Sequence, residues 1–175
     1  MRNIYLYNVA MSQRNSHRIL ENIEALIVAG EYAHAKKYLL EVIKKDINNP
    51  EAHYLLGDVY CKIGEFILAI EEEEIANNLF PNNPEIIHLL GWAHFMNGNI
   101  ATGRKYMESV LLVNPDDAYL LCDLAVLEMR AGNEKALEHV EKAKTISPND
   151  PLVQETYFVA NKFFQSYKVR KKHSN

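Results

Sequence analysis

Seven histidines, two cysteines and a run of four glutamates are the residues of this 175-residue chain most apt for chemistry. Histidines bind metal well when two stand four apart on one helix face beside a carboxylate, as in H-E-x-x-H. No pair here does so; His88 and His94 are six apart, which turns them to different faces of a helix. Cys61 and Cys122 cannot build a disulfide framework or a four-cysteine zinc site. Neither has the neighbouring base and orienting group that a nucleophile needs. No glycine-rich phosphate loop, nucleophile elbow or paired-acid constellation occurs. The expectation is a protein that is not an enzyme, with no cofactor and no metal. Binding remains. Aromatic, methionine and acidic side chains recur at helical spacing: Tyr54, Asp58, Cys61 and Lys62; then His88, Trp92, Phe95 and Met96; then Tyr119, Cys122, Asp123, Val126, Met129 and Arg130. Each set forms a second stripe on a segment whose other face is also apolar, and such a helix is either buried or binds something.

The elements that must carry these stripes follow from length and composition. At 48% hydrophobic and 24% charged, the chain suits one domain or one compact array. No apolar run reaches the roughly 18 residues of a membrane helix. The net charge is −4. Lys168, Arg170, Lys171 and Lys172 hold four of the positives; residues 1–167 carry 15 basic against 23 acidic side chains, a net −8. So acidic a body is a poor match for phosphate backbones, and no nucleic-acid partner is expected.

The chain is built on a repeat. Gly30, Gly64, Gly98 and Gly132 are spaced by 34, each between two apolar-periodic stretches. Ala35, Ala69 and Gly103 keep that spacing, and Ala136 follows 33 later; Pro81, Pro115 and Pro148 behave alike. Four units result: 16–49, 50–83, 84–117 and 118–150, the last shortened by one residue just after Asn133. Each reads as two helices. Ile19, Ile23, Leu26 and Ile27 form one helical face, Gly30 stops it, and a second helix runs from about Tyr32 to Asp46. Asn49-Pro50, Asn83-Pro84 and Asn114-Pro115 are expected to open helices, Asn capping and Pro filling the first turn.

This pattern resembles the tetratricopeptide repeat. The second unit carries it best, with His53-x-x-Leu56-Gly57-x-x-Tyr60, then Ala69, Ala76 and Pro81. The third has Leu90-Gly91, His94, Gly103, Met107 and Pro115; the fourth has Leu124-Ala125, Ala136, Val140, Ala143 and Pro148. The first departs most, with Asn22 in place of Leu and Ile47 in place of Pro. The resemblance covers about residues 16–150. It implies an all-α fold, a right-handed α-solenoid of four such hairpins plus a C-terminal capping helix. Small residues at Gly57, Gly91, Ala125, Ala69, Gly103 and Ala136 would bring the paired helices close. His53 and His94 then occupy positions where aromatics pack.

The resemblance also implies a concave groove lined by the stripes. Its peptide-binding residues would be Tyr54, Asp58, His88, Trp92, Phe95, Met96, Tyr119, Asp123 and Met129, with Glu51, Asp58, Glu85 and Asp123 on the rim. The occupant would be a protein segment with apolar and basic residues. The clamp by which some relatives hold a C-terminal carboxylate is missing, since Leu20, Glu21, Glu24, Leu55, Glu85 and Leu89 stand at those positions. Glu73 is in phase with Leu39 and Met107, which should be buried, so it must either rotate outward or find a cation. Lys37, Glu71, Lys105 and Glu138 share one phase with alternating sign, which predicts a charge ladder on the convex side.

Residues 151–170 should form the capping helix, with Leu152, Val153, Tyr157, Ala160, Phe163, Phe164 and Tyr167 on one stripe. Residues 1–15 read as a weakly ordered leader, with packing into the groove or onto the first repeat, or translation from Met11, as alternatives. Residues 171–175 read as a basic solvated tail. The expected function is an adaptor or co-chaperone-like interaction module in the cytoplasm. The alternative is a structural subunit or assembly factor of a larger complex, such as a secretion or pilus apparatus, with self-association. Oligomeric state is left open.

Overall fold

The structure, a computed structural model, describes the backbone of residues 17–173 and side chains through residue 166. The leader 1–15, Tyr167 and the basic side chains of the tail lie outside the described residues. The described chain is all-α and without strands. Its helices are α1 (17–28), α2 (Tyr32–Lys45), α3 (Pro50–Ile63), α4 (Phe66–Leu79), α5 (Pro84–Met96), α6 (Ile100–Val113), α7 (Ala118–Arg130), α8 (Lys135–Ile146) and α9 (Pro151–His173). The first eight pair in order as helical hairpins, one per repeat. The terminal helix runs three residues beyond the expected end at 170.

Local chemistry accounts for the breaks. Gly64 ends α3 in the left-handed region at φ 82°, and Glu65 N–H returns to Tyr60 O at 2.9 Å, a stop that a side chain would strain. Gly30, Gly98 and Gly132 hold the same sign of φ. Asn49 caps α3 by accepting from Ala52 N–H at 3.0 Å, and Asn83 caps α5 through Glu85 and Ile86 N–H. Asn114-Pro115 opens no helix, contrary to expectation. Asn114 closes α6, and α7 starts three residues later, where Asp117 accepts from Tyr119 and Leu120 N–H, both at 3.0 Å. The true counterpart downstream is Asp150-Pro151, which caps α9 in the same way.

The chain divides into two compact units, one through Leu89 and one from Leu90, with the boundary inside α5. Within the first unit α3 packs on α2 and α4. Leu56, Val59, Ala69 and Ala76 are fully buried in that packing. Within the second, Gly91 of α5 meets Gly103 of α6 backbone to backbone. A Cβ on Gly103 would stand 2.7 Å from Gly91 O and 3.0 Å from the Phe95 Cβ. Further along, α7 packs on α8, and α9 packs on both. Val153, Ala160 and Phe164 of α9 are buried against Leu121, Cys122, Ala125, Val140 and Ala143. Leu152 departs from the expected stripe and is half exposed; Thr156 is buried in its turn, its hydroxyl donating to Leu152 O at 2.8 Å.

Lys37 and Glu71 of the first unit and Lys105 and Glu138 of the second are all exposed, and within neither unit does an ion pair among the described residues join them. Lys36 of α2 instead pairs at 3.3 Å with Glu65, the residue that precedes α4. Lys36 also lies 4.6 Å from the centre of the Tyr60 ring, which holds its stem on the first helix of the next hairpin.

Candidate functional site

In the first unit, α3 and the loops beside it form an open cleft of about 340 Å³. Glu24, Glu51 and Glu85 rim it, Tyr54 forms a wall, and Phe80 and Ile86 supply apolar surface. The position of Tyr54 follows from the Asn49 cap, which starts α3 at Pro50 and turns residues 51 and 54 to the same side. Tyr54 is half-buried, and its phenol is pushed up to about 12 by burial and then by Asp58, Glu73, Glu85 and Glu24. The Glu51 carboxyl is also raised, first by burial; Glu24 and Glu21 add to this and His17 opposes it. Asp58, one turn on from Tyr54, pairs with Lys62 at 3.3 Å. Phe80 was not foreseen as a site residue. It closes α4 at 53% exposure, in a loop rather than on a first-helix stripe, and an aromatic so exposed just before Pro81 was the available signal.

The stripe of α5 is less open than its sequence suggests. Trp92 is half-buried and its ring meets Phe95 with centroids 5.4 Å apart. Phe95 itself is only 9% exposed because the missing side chain at Gly103 draws it into the α5–α6 seam. It supports Trp92 from behind and is not an open anchor. Met96 is 42% exposed and His88 half-buried.

In the second unit the capping helix occupies much of the α7 stripe. Cys122 is buried beside Val153, and Met129 packs with Ala160 and Phe164. Met129 is partly buried in this contact with the capping helix. Tyr119 keeps half its surface, but its hydroxyl donates to Asp150 Oδ2 at 2.7 Å, which ties it to the α9 cap. Asp123 is half-buried. The structure thus brings Tyr54, Glu51 and Glu85 to one cleft and distributes the other candidates elsewhere.

Chemically the cysteines are quiet. Burial pushes the Cys61 thiol up to about 12, with Glu73 and Asp58 adding to it, and raises Cys122 as well. A thiol so raised holds little thiolate at neutral pH. Among the described residues no group of three or more His, Cys, Asp and Glu is placed to hold a metal ion, and no helix is long and apolar enough to cross a membrane. His53, at an aromatic position, is buried and bridges hairpins: Nε2 donates to Ile47 O at 2.9 Å and Nδ1 bonds Glu72 Oε2 at 2.6 Å.

Two carboxyl groups are fully buried. Glu128 on α7 receives two hydrogen bonds from Arg104, Nε to Oε1 at 2.5 Å and an Nη to Oε2 at 2.8 Å. Glu73 on α4 neither rotates outward nor finds a cation. It is 0% exposed, neither oxygen has a hydrogen-bond partner, and it leans on Gly57, where a Cβ would be 2.2 Å from Oε1. Burial, then Asp58 and Glu72, push its pKa up to about 10, so it is a neutral acid at pH 7.

Comparison with known proteins agrees with the hairpin geometry. Two family models, each described as tetratricopeptide repeat, match residues 38–71 and 88–151, together more than half the chain. The protein CTR9 homolog of Arabidopsis thaliana is 26% identical over 121 residues, 67% of this chain; the match spans 11% of that longer relative. MamA from residue 41 to its end, from Desulfovibrio magneticus RS-1, superposes with a TM-score of 0.70 at 23% identity, covering 78% of this chain and 77% of that one. TTC0263, a thermophilic TPR protein of Thermus thermophilus, gives 0.73 at 18% identity, covering 87% and 82%. At these identities the structural likeness is one of fold. With the repeat models, the hairpins and the 34-residue period in agreement, the chain belongs to the tetratricopeptide repeat family.

Proposed function

We propose that this protein is a non-catalytic adaptor that holds a segment of a protein partner on its first-helix stripes, with the acidic cleft of the first unit as the principal site. The observation that carries this reading is the open cleft around Tyr54, rimmed by Glu24, Glu51 and Glu85. An acidic rim with an aromatic wall suits a lysine or arginine of the partner, through charge and through the ring face. Trp92 and Met96 are the further apolar anchors, with His88, Asp58, Tyr119 and Asp123 as polar contacts; Phe95 and Met129 act only by support. Two free cysteines, raised in pKa, are in keeping with a reducing compartment such as the cytoplasm. The test is capture from source lysate by the intact chain, by Tyr54→Ala/Glu51→Lys and by Trp92→Ala. A partner held by the intact chain and lost by the first variant supports the reading; one retained by both variants refutes it.

A second reading, a structural subunit or assembly factor, is favoured by apolar side chains displayed outside the cleft. Leu112 is 85% exposed, Val113 76% and Phe158 64%. On that reading Leu112→Asp, and not Tyr54→Ala, abolishes assembly measured by light scattering.

A further inference from the structure

We infer that Glu73 makes the α3/α4 hairpin a proton-stabilised element, firmest in acid and progressively weaker as the pH rises through the neutral range. The geometry carries this. Glu73 occupies the place that Leu39 fills in α2 and Met107 fills in α6, all three at 0% exposure. Its carboxyl lies in the seam only because residue 57 lacks a side chain. No donor reaches either oxygen, so the seam offers nothing that would compensate a negative charge there. The titratable groups in electrostatic reach are Tyr54, Asp58 and Cys61 on α3 and Glu72 on α4, none of them cationic. On α3, Lys62 is engaged by Asp58 at 3.3 Å, and on α4 Glu72 is hydrogen-bonded to His53. Ionisation must therefore come with opening of the seam.

The sign follows from linkage. The folded hairpin keeps the proton to about pH 10, while the unfolded chain releases it near 4.5. Between these values the folded state binds one proton more, so stability falls as pH rises; below 4.5 and above 10 the contribution is level. The window spans the physiological range, and the hairpin affected is the one that carries Tyr54 and Asp58.

The test is urea unfolding of the full chain at several pH values between about 5 and 9, compared with Glu73→Gln. The expected result is a difference between the two proteins that changes about tenfold in unfolding constant per pH unit. Parallel pH profiles would overturn the inference. Should Glu73→Gln not fold, Glu73→Leu, matching Leu39, makes the same comparison. Infrared spectroscopy gives an independent readout on the unmodified protein. A protonated-carboxyl band at pH 7 that either variant removes is expected, and its absence at pH 7 contradicts the inference.

Discussion

The two units of this protein bury a carboxyl group to the same extent and treat it in opposite ways. In the second, Glu128 is met by the two-pronged guanidinium of Arg104. In the first, Glu73 is met by the bare backbone of Gly57 and keeps its proton. One unit compensates a charge; the other suppresses it. The units differ likewise in their first-helix stripes. That of α7 is covered in part by α9, at Cys122 and Met129, whereas the cleft beside α3 stays open and acidic. A repeat fixes where a side chain stands, and neighbours outside the repeat decide what it does there.

Removing Arg104 strikes this contrast hardest. Arg104→Met leaves Glu128 buried and unpaired, with an expected loss of about 3–5 kcal/mol in urea unfolding at neutral pH. In the first unit the opposite sign is expected: Glu73→Leu should raise stability at pH 7 by about 3 kcal/mol, the free energy of taking up at that pH a proton that the unfolded chain releases near 4.5. Gly57→Ala drives a Cβ into Glu73 Oε1 and should cost about 1–3 kcal/mol. Combined with Glu73→Ala, it should cost far less, and a double-mutant cycle measures the coupling. The smallest effect is expected at Lys36→Ala, which removes a partly exposed ion pair and a ring contact for at most about 1 kcal/mol by thermal or urea unfolding.

Much of the fold was legible because the repeat is written in residues with few alternatives. Gly30, Gly64, Gly98 and Gly132 mark the hairpin turns where only glycine turns left without strain, and all four have positive φ. Asn114-Pro115 misled because the pair falls just before the turn, in the phase of Pro81, and not in the phase of Pro50 and Pro84. The burial of Glu73 could be read from its phase with Leu39 and Met107. Its missing partner could not, since that depends on what α3 presents across the seam. The site was less legible than the fold. Tyr54, Glu51 and Glu85 converge as their helical positions suggested. Periodicity along α7 does not say which face a later helix will cover, so Met129 looked as available as Trp92. Periodicity along α5 does not show that Gly103 admits Phe95. Phe80 stood in a connection, where no period applies.

Recognition of positive charge on a partner segment, the role proposed for the cleft of the first unit, has one most direct measurement. It is the calorimetric affinity of the partner captured by the intact chain, set against Glu51→Lys/Glu85→Lys, at low and at physiological salt. The predicted result is a wild-type affinity that weakens with salt and falls at least about tenfold on charge reversal. Affinity unchanged by the reversal, at either salt concentration, would contradict that role.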